Sequence, residues 1–376
     1  MQKNKIGIIT MHRVLNYGSV LQTFALFQKI KNLGYQCEVI DYQYPNEYHR
    51  SSNRNNTLLE RGLFFLLRII FFILYRGRKQ KRRFREFMDK NLQLSKYYAN
   101  QEEIYNNPPQ YDIYLTGSDQ VWNPKCMKGD PVFFCDFVHD GMKVSYASSF
   151  SLSCVSSEYF NLYKKYLSDY SHIGIRESSG IALVRSLINK EAKVVCDPTL
   201  LLTKREYSRL AEHSEIKINR PYILVYALSY AFNPYQALNV VVDNISKQLQ
   251  LQVVYLHVNS IENYHIGHSI TSAGPNEFVR LFMDASFIVT SSFHGTAFAL
   301  NFEKPFYAII PNEKTEDSRI YSLLKQVGAE DRAIISSQKI KTDLLVKMNY
   351  LSIIDKLNRY RDDSVAFLKK ELSDEL

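Results

Sequence analysis

The strongest constraint on this chain is an alternation. Short runs of β-branched and aliphatic residues recur, each separated from the next by a stretch with helical spacing. Residues 5–10 (KIGIIT) predict a first strand and 36–42 a second, and between them Val20, Leu21, Phe24, Phe27 and Ile30 share one helical face that Gly34 ends. Strand, helix, strand is the unit of a parallel sheet, because parallel neighbours need a crossover. Further strands are expected at 113–116, 144–147, 173–176 and 194–196, with helices at 158–167 and 179–188. After Asp197-Pro198 and the leucines at 200–202 the pattern restarts, with strands at 222–227, 253–258, 287–290 and 306–310 and helices at 235–249, 276–283, 296–301 and 318–326.

The expected fold class is therefore α/β, as two Rossmann-like, doubly wound domains with a cleft between them. Length agrees: 376 residues exceed one typical core, and roughly 150 residues per domain gives two. The expected boundaries are 1–202 and 203–345, with a C-terminal helical segment over 346–376 and a helical excursion, both basic and apolar, at about 57–90. Hydrophobic residues at 45% and charged residues at 23% exclude a disordered, collagenous or coiled-coil chain. The apolar centre of the N-terminus, Ile6 to Ile9, is too short for a secretory signal, so the expected location is the cytoplasm.

The net charge of +9 is concentrated. Arg76, Arg78, Lys79, Lys81, Arg82, Arg83 and Arg85 form a run without an acid, and the rest of the chain carries only +2. Nucleic acid is thus a poor partner, and a local anionic surface a better one. Immediately before this run, residues 63–75 read LFFLLRIIFFILY. As a helix they would span roughly 20 Å, short of the roughly 30 Å of a bilayer core. Two readings stand equal: an interfacial helix with its cations on anionic headgroups, giving peripheral contact on the inner face of a membrane, or a helix packed against the protein. Five cysteines, nowhere closer than nine residues apart, suit neither a zinc site nor a disulfide framework; no metal is expected.

Ligands of open α/β sheets bind beyond the carboxyl ends of the strands, so the loops there supply the candidates. Asn16 and Gly18 follow the first strand, beside a capping-box pattern from Ser19 to Gln22. Ser118, Asp119, Gln120, Trp122 and Asn123 follow another, and a carboxylate beside a flat aromatic suits a sugar. Arg176 ends a strand where its planar fork can grip a carboxylate or phosphate. Asp197-Pro198 reads as a turn closing the domain. The sharpest feature is TSSFHGT at 290–296, which puts His294 at a strand-to-helix turn, where an imidazole can bind an anion or transfer a proton.

Taken in order, IGIIT…NYGSVLQTFAL, DIYLTGSDQVWNP, VSYASSF, IGIRE, VVCDPTLLL and FIVTSSFHGTAFAL resemble the polysaccharide pyruvyl transferase family over roughly residues 5–310. The resemblance implies a glycosyltransferase-B-like arrangement of the two domains, phosphoenolpyruvate as co-substrate without a further cofactor, and a sugar or lipid-linked oligosaccharide of a capsular or exopolysaccharide precursor as acceptor. Arg176 and His294 match positions where the family binds and activates the donor. Ser292 stands where characterised members can carry Arg. The expected roles are His294 as acid or donor ligand, Asp119 as base or acceptor anchor, and Arg176 with Arg319 as an anion clamp. Ser292, Gly295, Asn16 and Gly18 are expected around the donor; Ser118, Gln120, Trp122 and Asn123 are expected around the acceptor. A nucleotide-sugar glycosyltransferase and a non-catalytic glycan-binding protein are the alternatives.

Overall fold

The computed structural model describes residues 4–45, 76–229, 231–257, 269–311, 318–340, 344 and 347–373. Among them, two wholly parallel sheets are built. The first holds β1 (Lys5–Ile9), β2 (Gln36–Tyr42), β3 (Leu94–Tyr98), β4 (Ile113–Thr116), β5 (Met142–Ser148), β6 (His172–Ile175) and β7 (Lys193–Val194) in the order 3-2-1-4-5-6-7. The second holds β8 (Tyr222–Tyr226), β9 (Gln252–Leu256), β10 (Ser269–Ile270), β11 (Phe287–Thr290), β12 (Phe306–Ile310) and β13 (Ala333–Ile335) in the order 10-9-8-11-12-13. Both orders reverse beside the first strand, between β1 and β4 and between β8 and β11, the points where ligands of open α/β sheets bind.

Helices α1 (Tyr17–Asn32), α2 (Arg76–Asn91), α3 (Gln101–Asn106), α4 (Pro124–Met127), α5 (Ser157–Ser168), α6 (Ser179–Ile188) and α7 (Lys204–Glu212) belong to the first part of the chain. Helices α8 (Tyr235–Leu249), α9 (Pro275–Asp284), α10 (Phe293–Asn301), α11 (Arg319–Val327) and α12 (Leu351–Glu371) follow. Helix α1 is buried on nearly every side, because one flank lies on its own sheet and the other meets the second domain. Tyr17 shows the contact: its ring lies between Phe84 and Phe278, 5.2 and 4.9 Å away, and its hydroxyl donates to the Ala273 carbonyl at 3.1 Å. One apolar cluster runs from Ile6 and Val20 through Tyr17 to Phe278 and Phe298, so the domains share a core rather than merely touching.

The sequence expectations miss β3, β10 and β13. The first presents four half-buried or exposed side chains at a sheet edge, and the others are two and three residues long, so none offers an apolar run of strand length. Helix α12, inside the expected C-terminal segment, returns to the first domain, where its Ser364 hydroxyl accepts the Cys196 N–H at 2.9 Å. Residues 63–75 lie outside the described residues; the cations after them lie on α2. No helix among the described residues is long and apolar enough to cross a membrane.

Candidate active site

The carboxyl ends of the two sheets face each other, and five loops meet there. Asn16 caps α1, its side-chain oxygen accepting the N–H groups of Gly18 and Ser19. The capping box expected from Ser19 is therefore displaced: Ser19 sits inside the helix and donates its hydroxyl to Asp119 Oδ2 at 2.6 Å. Gln22, also buried, bonds Thr10 Oγ1 at 2.9 Å and accepts the Ser118 N–H at 3.2 Å. Asp119 follows a cis Gly117-Ser118 peptide and has φ 74°, a left-handed conformation that Asp tolerates better than most residues.

From the end of β6, Arg176 reaches two carboxylates. Its Nη1 donates to Asp197 Oδ2 at 2.9 Å and its Nη2 to Asp119 Oδ1 at 3.4 Å. All three side chains are almost wholly buried. Asp197 is fixed further by the N–H and hydroxyl of Thr199, at 3.0 and 2.7 Å on Oδ1. From the second domain, His294 Nε2 lies 3.5 Å from Asp197 Oδ2, outside hydrogen-bond geometry. Burial opposes the charge on both carboxylates, yet both are held below the ordinary carboxylate range. Arg176, His294, the Ser19 hydroxyl and Arg319 outweigh it at Asp119, and His294, Arg176 and the Thr199 N–H at Asp197. Burial likewise works against the Arg176 cation, and Asp119, Asp197 and Glu177 keep it firmly charged.

Phe293 is flanked by two guanidinium groups, Arg176 at 4.5 Å and Arg319 at 5.8 Å from its ring centre. Beside it a cavity of about 300 Å³ is lined by Arg176, Ser178, Asp197, Phe293, Lys325 and Tyr360, among others. Gly18 brings the α1 terminus so close to His294 that a β-carbon there would overlap the imidazole.

The structure thus gathers Asp119, Arg176, His294, Gly18 and Arg319, and corrects several roles. Trp122 is no sugar platform: it is fully buried, stacked 5.7 Å from Phe134, with its indole N–H on the Phe133 carbonyl. Asn123 caps α4 and holds Gln120 through its amide at 2.7 Å. Ser118 is buried and donates to the Ala147 carbonyl. Ser292 caps α10 by accepting the Gly295 N–H, and a side chain at Gly295 would strike Thr290, so both shape the helix start. Asn16 acts as the cap described above. Arg176 is not an open clamp, since two of its nitrogens are committed to carboxylates; its buried Nε has no partner. Asp197, expected only as a turn, is the hub of the cluster. Its position after a strand was the available signal, as it was for Arg176. Among the described residues no group of three His, Cys, Asp or Glu side chains is placed to hold a metal ion.

The sequence model of the polysaccharide pyruvyl transferase family matches residues 16–313. No curated protein matches the chain. Among solved structures, the UDP-GlcNAc 2-epimerase of Methanocaldococcus jannaschii aligns with a TM-score of 0.50 at 12% identity, over 94% of this chain and 92% of its own. Arabidopsis thaliana UGT89C1 complexed with UDP-L-rhamnose aligns with a TM-score of 0.50 at 9% identity, over 99% and 100%. A putative UDP-N-acetylglucosamine 2-epimerase of Listeria monocytogenes gives 0.50 at 12% identity, over 97% and 91%. At such identities the likeness is one of fold, and the fold is the glycosyltransferase-B arrangement of two parallel-sheet domains.

Proposed function

The chain belongs to the polysaccharide pyruvyl transferase family and is a transferase; from that premise we propose that it moves the pyruvyl group of phosphoenolpyruvate, as a ketal, onto two hydroxyls of a sugar in a capsular or exopolysaccharide precursor. One observation carries the reading: an imidazole at a helix start in one domain is held against a buried carboxylate–guanidinium cluster of the other.

The chemistry asks for those groups. Proton transfer to the methylene carbon forms its third C–H bond and leaves positive charge on the carbon that bears phosphate. One sugar hydroxyl attacks there and loses its proton. A second hydroxyl then forms the other C–O bond as the bond to phosphate breaks, and inorganic phosphate leaves carrying that hydroxyl's proton. His294 supplies the first proton, and Asp119, steadied by Ser19, takes the hydroxyl proton. Arg319 and Arg176, whose guanidinium groups both lie over the Phe293 ring, meet the negative charge of the donor. The acceptor on this reading is lipid-linked. The outward face of α2, with Arg78, Lys81, Arg82 and Arg85 exposed, then rests on an anionic membrane.

The test is incubation of purified protein with phosphoenolpyruvate and extracted lipid-linked glycans. A mass gain of one pyruvyl group with release of phosphate is expected, falling about 10²- to 10⁴-fold in His294→Ala. Thermal stabilisation by a sugar nucleotide but not by phosphoenolpyruvate, with no mass gain, would replace this reading by a nucleotide-sugar glycosyltransferase.

A further inference from the structure

The loop between β1 and α1 touches more than the catalytic cluster. At its start the Thr10 hydroxyl donates to the Ser118 carbonyl at 3.0 Å, beside Asp119, and at its end Asn16 caps α1. Between them Arg13, Val14 and Leu15 line a second cavity, of about 130 Å³, together with Gln43 after β2 and Phe84 and Met88 of α2. Arg13 is fixed there. Its Nε and Nη2 donate to Asp41 Oδ1 and Oδ2 at 2.5 and 2.6 Å, its guanidinium lies over the Tyr97 ring at 4.7 Å, and Asp41 is itself held by the buried His12, whose Nε2 lies 2.9 Å from Oδ1. A two-point pair of this kind sets the plane of the guanidinium. Nη1 makes no hydrogen bond among the described residues, and the side chain is 29% exposed, so a donor edge of known orientation is left at the cavity.

The geometry points to this cavity as an acceptor subsite, holding the sugar unit next to the one that reacts at Asp119, with Arg13 and Gln43 as its hydrogen-bonding residues. The inference rests on the pyruvyl transferase reading, and it supplies a place for the acceptor that Ser118, Trp122 and Asn123, all structural, do not. The lining suits a sugar ring. Arg13 donates, Gln43 offers its amide oxygen while its Nε2 donates to the Tyr44 carbonyl at 3.1 Å, and Val14, Leu15, Phe84 and Met88 give the C–H face an apolar wall. The volume fits one ring-sized group, below the roughly 300 Å³ at which pockets for larger ligands begin. Position agrees on both sides. Burial pushes the Tyr44 phenol up, Asp119 adds to this and Arg13 opposes it, so the guanidinium and the catalytic carboxylate are both near one buried ring. Phe84 and Met88 belong to α2, whose other face carries the exposed cations. A glycan lying from an anionic membrane towards Asp119 passes this cavity, and a single sugar bound at Asp119 does not reach it.

The test uses the whole protein and oligosaccharides released by mild acid from extracted lipid-linked glycans. Calorimetry without phosphoenolpyruvate should show binding to the parent and about tenfold weaker binding to Arg13→Gln and to Gln43→Ala, the size of one or two lost hydrogen bonds. In turnover, KM for the oligosaccharide should rise by the same factor and KM for phosphoenolpyruvate should not, a split that a merely structural role would not produce. Preference for the oligosaccharide over its constituent single sugars should narrow accordingly. Should Arg13→Gln fail to fold because Asp41 loses its partner, Gln43→Ala and the cavity-filling Val14→Phe decide, since both keep the Arg13–Asp41 pair. Parental affinity and KM in these variants overturn the subsite, as does a parent that binds no oligosaccharide. Competition by inorganic phosphate that is lost in Arg13→Gln would assign the cavity to the phosphates of the lipid linkage and overturn the sugar. Binding that weakens as expected, without any gain of a pyruvyl group, refutes the proposed reaction and leaves the glycan subsite standing.

Discussion

Gly18 and His294 meet across the cleft with no room for a methyl group between them, and this sets an opposition between helix propensity and catalysis. In the first turn of a helix, Gly→Ala ordinarily stabilises by up to about 1 kcal/mol. Here the new β-carbon would enter the imidazole, and the ring or the domain must give way. Gly18→Ala is therefore expected to melt near the parental temperature while pyruvyl transfer falls by about 10²-fold, the cost of a misplaced catalytic group. Steady-state rates beside a melting curve check it; parental turnover would mean that the contact is relieved without moving His294. Which residues were legible in the sequence follows the same logic. Asp119, Arg176 and His294 end strands or open helices, and position alone exposes them. Trp122 was misread because a loop's aromatic residue can equally face a ligand or fill the core, and sequence does not say which. Asp197 was hidden by Pro198, since an Asp-Pro pair reads as a turn whether or not its carboxylate is at work.

At the scale of elements, α2 divides its charges by face. Arg78, Lys81, Arg82 and Arg85 recur at three- and four-residue spacing on the exposed side, while Gln80, Phe84 and Phe87 are buried. Arg83 belongs to the buried side: it donates to the Ser272 carbonyl at 2.7 Å, pairs with Glu215 at 2.5 Å and lies 3.4 Å from Glu277. The basic run, uniform in sequence, thus splits into a surface and an interdomain pin. Replacing Arg78, Lys81, Arg82 and Arg85 by Gln should abolish co-sedimentation with anionic vesicles at low salt and leave the melting temperature unchanged, because each such cation is worth on the order of 1 kcal/mol at an anionic surface. Arg83→Ala should do the reverse, lowering the melting temperature, because the buried Glu277 loses its cation and the Ser272 carbonyl its donor. Vesicle binding that survives the four-fold change would end the membrane proposal. The strands and helices with apolar runs or amphipathic faces were readable in advance. The short edge strands β10 and β13 were not, because backbone pairing defines them more than side chains do.

Across the whole molecule, the two domains are joined by more than the linker between β7 and β8. Asn301, the last residue of α10, donates from Nδ2 to the carbonyls of Thr199 and Leu202, both at 2.9 Å, and accepts Arg361 Nη2 of the returning α12 at 2.8 Å. Arg361 in turn donates to the Leu200 carbonyl at 2.6 Å. One buried amide therefore ties the helix that begins with the catalytic imidazole to the linker and to the C-terminal helix. The sequence could show the repeated pattern on either side of this joint but not the joint, since it assembles residues about 100 and 60 positions apart. Asn301→Ala takes its amide donor from the Leu202 carbonyl, at about 1–3 kcal/mol for a group stranded, while the Thr199 carbonyl keeps the Tyr207 hydroxyl and Arg361 keeps the Leu200 carbonyl. The melting temperature should fall. Because a single apolar cluster spans both sheets, calorimetry should nevertheless record one transition, as cooperative unfolding requires a shared core. Turnover should fall further than the loss of folded protein explains, since α10 is then free to tilt His294 away from Asp197 and Arg176. Two separate transitions in the variant, or in the parent, would mean that the domains unfold independently and that the cluster is a contact rather than a common core.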